Sequence, residues 1–233
     1  MLGPAPAPPA PPAAAPAPVL ALSKAPAAEP VQISILSPTP GQTLDLADAA
    51  GTPITVHSPR PEWLLELGLD GRRARPVATL PEQPTLGDLN DGAPLAAGAH
   101  YLVAALRAAD DAPARYAIAR FSVQSPAQAS APLVYCGRPS GTYYGSEGTL
   151  LLDFTTDGFE PGASGAVLVR ALQGDAKKPA PEALLRDSAP HLVDGLAVGD
   201  WSIELSLLGP EGKPLDGPLS RHRCELTRNE GPP

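Results

Sequence analysis

The sequence is poor in lysine and in aromatic residues, and each scarcity excludes a class of function. Lys and Arg together number 17 against 25 Asp and Glu, so the net charge is −8 at pH 7. Nucleic acid and anionic lipid surfaces both require clustered positive charge, which argues against either as a partner. Phe, Trp and Tyr make up only 4% of the chain, so a broad platform for stacking on sugars is not expected.

Long hydrophobic runs and a secretory signal are also missing. No apolar run approaches the roughly 18 residues that a membrane-spanning helix needs. Met1 and Leu2 lead directly into proline and alanine, with no basic segment before them. The sequence therefore predicts either a cytoplasmic chain or one whose leader has been removed.

Proline is abundant, and its distribution divides the chain. Of 32 prolines, ten lie in residues 1–30, which are nearly free of charge and of large apolar side chains. Such a segment cannot bury enough surface to offset its ordering entropy. We predict a disordered, extended tail over 1–30. It is either an inert leftover or a spacer that separates the folded part from a membrane anchor or upstream domain.

Residues 31–124 have the two-residue periodicity of β-strands. Val31, Ile33 and Ile35 alternate with polar residues, and a proline-rich turn follows. A second alternation ends at Asp70-Gly71, a strong hairpin signal. Six or seven short strands with regular turns predict a β-sandwich.

A weak internal repeat indicates a second sandwich. Shifting the sequence by 101 positions aligns residues 33–38 with 134–139, 65–69 with 166–170 and 95–102 with 196–203. Each unit is then about a hundred residues long, the size of an immunoglobulin-like domain. In the second unit, apolar and polar residues alternate over 201–207, which indicates a strand with one buried face. The same offset predicts that four residues of the first unit face inward: His100, Leu102, Ala104 and Leu106.

Four segments give the first unit a resemblance to the immunoglobulin-like (fibronectin III-like) domains of exported and surface bacterial proteins. They are Ser37-Pro38-Thr39-Pro40-Gly41, Leu67-Gly68-Leu69-Asp70-Gly71, Gly98-Ala99-His100-Tyr101-Leu102 and Phe121-Ser122-Val123. The resemblance covers 31–124 well and 132–228 more loosely. It implies an all-β chain with two tandem immunoglobulin-like sandwiches, and it is nearly silent on function.

The predicted organisation has five parts. They are a tail over 1–30, a first sandwich over 31–124, a linker over 125–131, a second sandwich over 132–228 and a C-terminal tail over 229–233.

Cys136 and Cys224 are the only cysteines. By the repeat they replace Ile35 and, approximately, Val123, in the first and last strands of the second unit. The resemblance implies that these strands lie side by side, so a disulfide is expected between them, and it would favour an oxidising compartment. Two buried free thiols and a metal site remain alternatives, although only His222 lies close enough to add a ligand.

No motif predicts catalysis, a metal or a cofactor. Gly162-Ala163-Ser164-Gly165 has the wrong spacing for a nucleophile elbow, and Asp88 to Gly92 lacks the spacing and the closing Glu of a calcium loop. The adjacent Tyr143 and Tyr144 form a candidate binding surface, because one of two neighbouring strand residues must face outward. The basic cluster Arg72, Arg73 and Arg75 is interpreted as a solvated hairpin.

These observations predict a non-catalytic exported protein, periplasmic, outer-membrane-anchored or extracellular. It would be a structural or protein-interaction module of a bacterial envelope or surface assembly, lipoprotein-like on its tether, with another envelope or surface protein as partner. The alternative is a carbohydrate-binding module that uses Tyr143 and Tyr144, with a glycan as its ligand.

Overall fold

The computed structural model describes residues 19–26, 30–109, 112–124, 131–144, 149–174 and 180–230. Residues 1–18 and 27–29 of the predicted tail over 1–30, residues 125–130 of the predicted linker and residues 231–233 lie outside these ranges. In chain order the strands are β1 (Leu22–Lys24), β2 (Ser34–Ser37), β3 (Thr43–Leu44), β4 (Thr55–His57), β5 (Leu64–Leu69), β6 (Arg75–Pro76), β7 (Gly98–Arg107), β8 (Arg115–Val123), β9 (Leu133–Arg138), β10 (Gly141–Tyr144), β11 (Leu150–Asp157), β12 (Ala166–Gln173), β13 (Glu182–Leu185), β14 (His191–Val193), β15 (Gly199–Leu208) and β16 (Arg221–Asn229).

The helical content is small. One short α-helix, α1 (Leu86–Leu89), and two 3-10 turns, Ala49–Gly51 and Val77–Thr79, interrupt the strands of the first half. Among the described residues, no helix has the length and hydropathy to cross a membrane. The all-β prediction is confirmed.

The first half of the chain is a sandwich of two sheets. One sheet has the order β3-β8-β7-β5-β6, and β2 and β4 form the other. Leu102, Ala104 and Leu106 of β7 lie in the core between them, as the alternation predicts. β3 runs parallel to β8 in the five-stranded sheet. The chain therefore passes from the sheet of β2 and β4 to the five-stranded sheet soon after β2, as in immunoglobulin-like domains.

The second half repeats this architecture. Its sheets have the orders β10-β16-β15-β12-β13 and β1-β14-β11-β9, and β10 runs parallel to β16 as β3 does to β8. Val167, Ile203 and Leu205 are among the buried side chains between the sheets. The chain therefore contains two tandem immunoglobulin-like β-sandwiches.

The repeat is visible in detail at β7 and β15. Both strands have ten residues and begin at glycines 101 positions apart, with φ of +132° at Gly98 and +133° at Gly199. The last strands of the two sandwiches, β8 and β16, are offset by more than 101 positions. Gly98 pairs with Val123, whereas Gly199 pairs with Arg228. Cys224, opposite Ile203, therefore corresponds to Ala119 and not to Val123.

β1 differs from the sequence-based expectation of a disordered segment over 1–30. Leu22 pairs with Val193 and Lys24 with His191, so this strand extends a sheet of the second sandwich. The Leu20 side chain is 5% exposed in the core of that sandwich. Leu20 and Leu22 are two positions apart and share one face of the strand, which gives this short segment an apolar face to bury.

Candidate functional site

The two sandwiches meet through tyrosines that pack against glycines. Tyr135 of β9 lies against Gly68 of β5, where an added Cβ would stand 2.9 Å from the Tyr135 hydroxyl oxygen. Tyr116 of β8 packs in the same way against Gly137 of β9. Tyr135 is only 2% exposed. The absence of a side chain at each glycine is what lets the opposite ring approach the backbone.

Apolar side chains fill the rest of this contact. Tyr101 and Val103, on the outer face of β7, form a buried cluster with Leu133 and Tyr135. β7 is therefore covered on both faces, by its own core on one side and by the second sandwich on the other. This explains why nearly every residue of its continuous apolar run is buried.

Charged groups are also buried between the sandwiches. Glu66 lies 2.9 Å from Arg107 and 3.3 Å from Arg138, and the Arg107 side chain is fully buried. No N–H group of Arg107 is aligned for a hydrogen bond, so its contact with Glu66 is an ion pair. Glu66 thus bridges a guanidinium of each sandwich.

Asp153 of the second sandwich adds another link. Its carboxylate accepts a hydrogen bond from the Ala114 backbone N–H at 2.6 Å. Burial raises the pKa of this carboxyl above its usual value, opposed by the Ala114 bond and by the charge of Arg107. Arg120 and Asp157 form a further ion pair across the junction.

A groove lies beside this interface, formed by two adjoining cavities of about 750 and 420 Å³. Both cavities are lined by Arg72, Arg73, Ala74 and Ser140. The larger one extends over polar side chains of β15 and β16, including Ser202, Arg223 and Glu225. We call these two cavities together the arginine groove.

The cysteines lie at the floor of the groove, and the predicted disulfide is wrong for this structure. Cys136 and Cys224 are both free and buried, as one alternative had allowed. The Cys224 thiol donates to the Cys136 backbone carbonyl at 3.1 Å, and the Cys136 thiol donates to the Arg138 carbonyl at 3.1 Å. The strands are not neighbours in one sheet as expected, because β9 and β16 belong to different sheets of the second sandwich, and the sulfur atoms are engaged with backbone oxygens.

The pKa values of the two thiols shift in opposite directions, and His222 contributes to the difference. Burial raises the pKa of Cys136. Burial has the same tendency at Cys224, but contacts with Cys136 and His222 lower the pKa of that thiol. The His222 Nδ1 accepts from the Cys136 backbone N–H, and Nε2 donates to the Gly71 carbonyl. The Nε2 bond links the two sandwiches, whereas the Nδ1 bond lies within the second sandwich.

The two candidate tyrosines face opposite ways on β10. Tyr143 packs against the core of the second sandwich, and its hydroxyl accepts from the Ser140 backbone N–H at 3.2 Å. Tyr144 is 50% exposed. Of the two rings, only that of Tyr144 is thus largely exposed, and its strand β10 lies at the edge of its sheet.

The other motifs have local structural roles. Asp88 forms a capping box with Thr85 at the start of α1, and its hydrogen bonds with Thr85 lower the pKa of its carboxyl. Ser164 lies in the turn between β11 and β12, where its hydroxyl accepts from the Glu160 backbone N–H. Within the described ranges, no three His, Cys, Asp or Glu side chains come together as a set of metal ligands.

The interface residues were not identified from the sequence. Tyr116, Tyr135, Glu66 and Arg107 belong to no motif, and each occupies an ordinary strand position. The signal that could have revealed them is the run from Tyr101 to Leu106, which is too continuously apolar for a strand with one solvated face.

Comparison of the sequence with protein-family models and with curated protein sequences gives no match. Among solved structures, the chain is similar to the fibronectin(III)-like modules of CbhA from Clostridium thermocellum, with 14% identity, a TM-score of 0.31, and coverage of 85% of this chain and 95% of that one. It is also similar to the two tandem V-type regions of VCBP3, a v-region-containing chitin binding protein, with 9% identity, a TM-score of 0.31, and coverage of 84% and 99%. At these scores the immunoglobulin-like assignment depends on sheet order and core, and not on the comparisons.

Proposed function

We propose that this chain is a non-catalytic structural or protein-interaction module of an exported bacterial envelope or surface assembly. Two immunoglobulin-like units, residues 31–124 and 132–228, would act in it as one rigid body. The observation that carries the proposal is the buried interface built by Tyr116, Tyr135 and the Glu66 ion pairs. A rigid pair presents a fixed surface to a partner.

The composition of the interface supports rigidity. Interfaces between domains of one chain are ordinarily polar and permit relative motion unless they are well packed and apolar. Here two tyrosines occupy sites that only glycine leaves open, and the buried charges of Glu66 and Arg107 are matched across strands. Separation of the sandwiches would break the Glu66–Arg138 ion pair and expose the apolar cluster around the tyrosine rings to water, and the loss of this apolar burial opposes separation.

The hydrogen bonding of His100 and His222, two of the four histidines, supports a non-catalytic role. Both nitrogens of His222 are engaged. The nitrogens of His100 bind the Asp70 carboxylate at 2.6 Å and the Ala96 carbonyl at 2.8 Å. A general base needs a free ring nitrogen within reach of a reacting proton, and neither side chain offers one.

Support for export comes from the Pro/Ala-rich residues 1–18, whose composition suits a spacer between an anchor and a folded domain. The cysteines contribute nothing to this part of the proposal, because both are free. Their burial is equally compatible with a reducing and an oxidising compartment.

Cross-linking in the native cell tests the proposal. Intact cells producing the tagged chain would be cross-linked, fractionated and analysed by mass spectrometry. We expect the chain outside the inner membrane, in discrete adducts with another envelope or surface protein. A cytoplasmic chain, or a monomer that forms no adduct, would contradict the proposal.

Carbohydrate binding remains the second candidate because the Tyr144 ring is half exposed on an edge strand. A glycan array would test it, with Tyr144→Ala as the variant and Tyr143→Phe, whose ring packs inward, as the control. We expect any genuine glycan binding to be lost in Tyr144→Ala alone. An array without binding would eliminate this candidate.

A further inference from the structure

The hairpin that carries Arg72, Arg73 and Arg75 contains one cation without a partner among the described residues. Arg72 lies 3.0 Å from the Asp91 carboxylate, and Arg75 lies 3.9 Å from it and donates to the Asp88 carbonyl at 2.8 Å. Arg73 is exposed and makes no hydrogen bond or ion pair with any residue that the structure describes. The hairpin was interpreted from sequence as a solvated turn, but Arg73 lines both cavities of the arginine groove.

The backbone opposite Arg73 lets its guanidinium approach closely. A Cβ added to Gly141, the first residue of β10, would stand 3.1 Å from the Arg73 Nη2 atom. Gly141 also has a φ of +88°, a conformation that favours glycine. The Arg73 guanidinium is thus held beside the start of an edge strand.

The smaller cavity of the groove has an excess of positive side chains, although the chain as a whole carries a net charge of −8. Four arginines and two carboxylates line the smaller cavity. Glu66 is already paired with Arg107 and Arg138, and Asp91 with Arg72 and Arg75. Neither carboxylate is left to neutralise Arg73, so the smaller cavity attracts an anion.

We propose that the arginine groove binds an extended acidic peptide segment of a partner protein, with a carboxylate on Arg73. This inference rests on the proposed function and names the chemistry of its partner. A guanidinium binds a carboxylate through two parallel N–H groups. β10 has no strand on its outer edge among the described residues, so its backbone can pair with an extended segment as a further strand.

The same geometry favours a peptide over an acidic glycan. Sugars are commonly held by stacking on an exposed aromatic ring. The aromatic residues that line the larger cavity are Tyr135 and Trp201, which are only 2% and 9% exposed. The groove therefore offers charge and backbone hydrogen bonds without a ring face.

Fluorescence anisotropy on the full chain tests this site. The probe is a labelled seven-residue peptide in which Glu alternates with Val, compared with its Gln counterpart at low salt. We expect the acidic peptide to bind, its Gln counterpart not to bind, and Arg73→Gln to weaken binding by about tenfold or more. Arg186→Gln removes the same charge from an exposed position outside the groove and should leave binding unchanged.

Equal loss in Arg73→Gln and Arg186→Gln, or no binding of the acidic peptide, would overturn the proposal. Binding of an oligogalacturonate in place of the peptide, with the same dependence on Arg73, would overturn the peptide assignment in favour of a glycan. Envelope adducts that persist unchanged in Arg73→Gln would overturn the groove site and leave the proposed function standing. If the wild-type chain formed no adducts at all, the proposed function itself would be contradicted.

Discussion

Residues at the same place in the two repeats make the same bond with different side chains. His100 Nε2 lies 2.8 Å from the Ala96 carbonyl, and Trp201 Nε1 donates to the Ala197 carbonyl at 2.8 Å. The His100 Nδ1 also contacts Asp70 at 2.6 Å, and this hydrogen bond raises the pKa of His100 above 6.5. Only the first sandwich therefore carries a titratable ring at this corner.

The stability of the first sandwich should depend on this titration. A raised folded-state pKa means that the contribution of protonated His100 is complete below the unfolded pKa of 6.5 and is lost as the pH rises through the folded value. Asp70→Asn removes the charged partner but keeps an acceptor for the Tyr101 N–H. We expect it to lower the free energy of unfolding by about 1–2 kcal/mol near pH 5, and by less at higher pH.

Urea unfolding from about pH 5 to about pH 9 measures this effect. Asp216→Asn, which removes an exposed carboxylate elsewhere, is the charge-matched control and should keep the wild-type pH profile. If Asp70→Asn and the wild type lost stability in parallel as the pH rose, His100 would not be the titrating group.

Among the elements, β1 is the one whose partner is farthest away in the chain. It lies before the first sandwich in sequence but pairs with β14 of the second. The backbone N–H of Leu20 donates to the carbonyl of Glu182, the first residue of β13, at 2.8 Å, and the Asp194 N–H donates to the Ala21 carbonyl. Residues 20–24 therefore contact β13 at the edge of one sheet and β14 of the other sheet, and they cover one side of the second sandwich.

Leu20→Ala should destabilise the second sandwich by about 2–3 kcal/mol, because it removes a buried side chain and leaves a cavity. Ser23→Ala changes an exposed position of the same strand and should alter the free energy of unfolding by less than about 0.5 kcal/mol. Urea unfolding gives both values, and hydrogen exchange should show faster exchange at β14 in Leu20→Ala only. Equal exchange in the two variants would mean that β1 does not protect this edge.

At the scale of the whole molecule, the interface couples two units that the sequence presents as separate. Tyr116 and Tyr135 cross it in opposite directions, and His222 of the second sandwich donates to the Gly71 carbonyl of the first. Units that share this much buried surface should unfold together, whereas loosely linked domains unfold independently.

Gly137→Ala tests the coupling. A Cβ at Gly137 would collide with the Tyr116 hydroxyl, so the ring must leave its site, at a cost of about 1–3 kcal/mol. Calorimetry should show one transition in the wild type and two separated ones in the variant. Gly51→Ala, where an added Cβ meets nothing within 4 Å, should retain the single transition. Two transitions already in the wild type would contradict a rigid pair.

The sequence by itself determined the local features of this fold. Alternating apolar residues specify which face of a strand is buried, and the Asp70-Gly71 turn specifies a hairpin. Because these signals act over a few residues, the 101-residue repeat, the two-sandwich architecture and the inward face of β7 could all be predicted. The opposite orientations of Tyr143 and Tyr144 also follow from strand geometry.

Only the tertiary structure decided what the outward faces contact. The continuous burial of β7, the interface position of Arg107 and the pairing of β1 with β14 depend on residues far away in the chain, which no local pattern encodes. The cysteines show the same limit, because their positions on strands were foreseeable but the sheet to which each strand belongs was not. The arginine groove likewise exists only because the second sandwich packs beside the hairpin that carries Arg73.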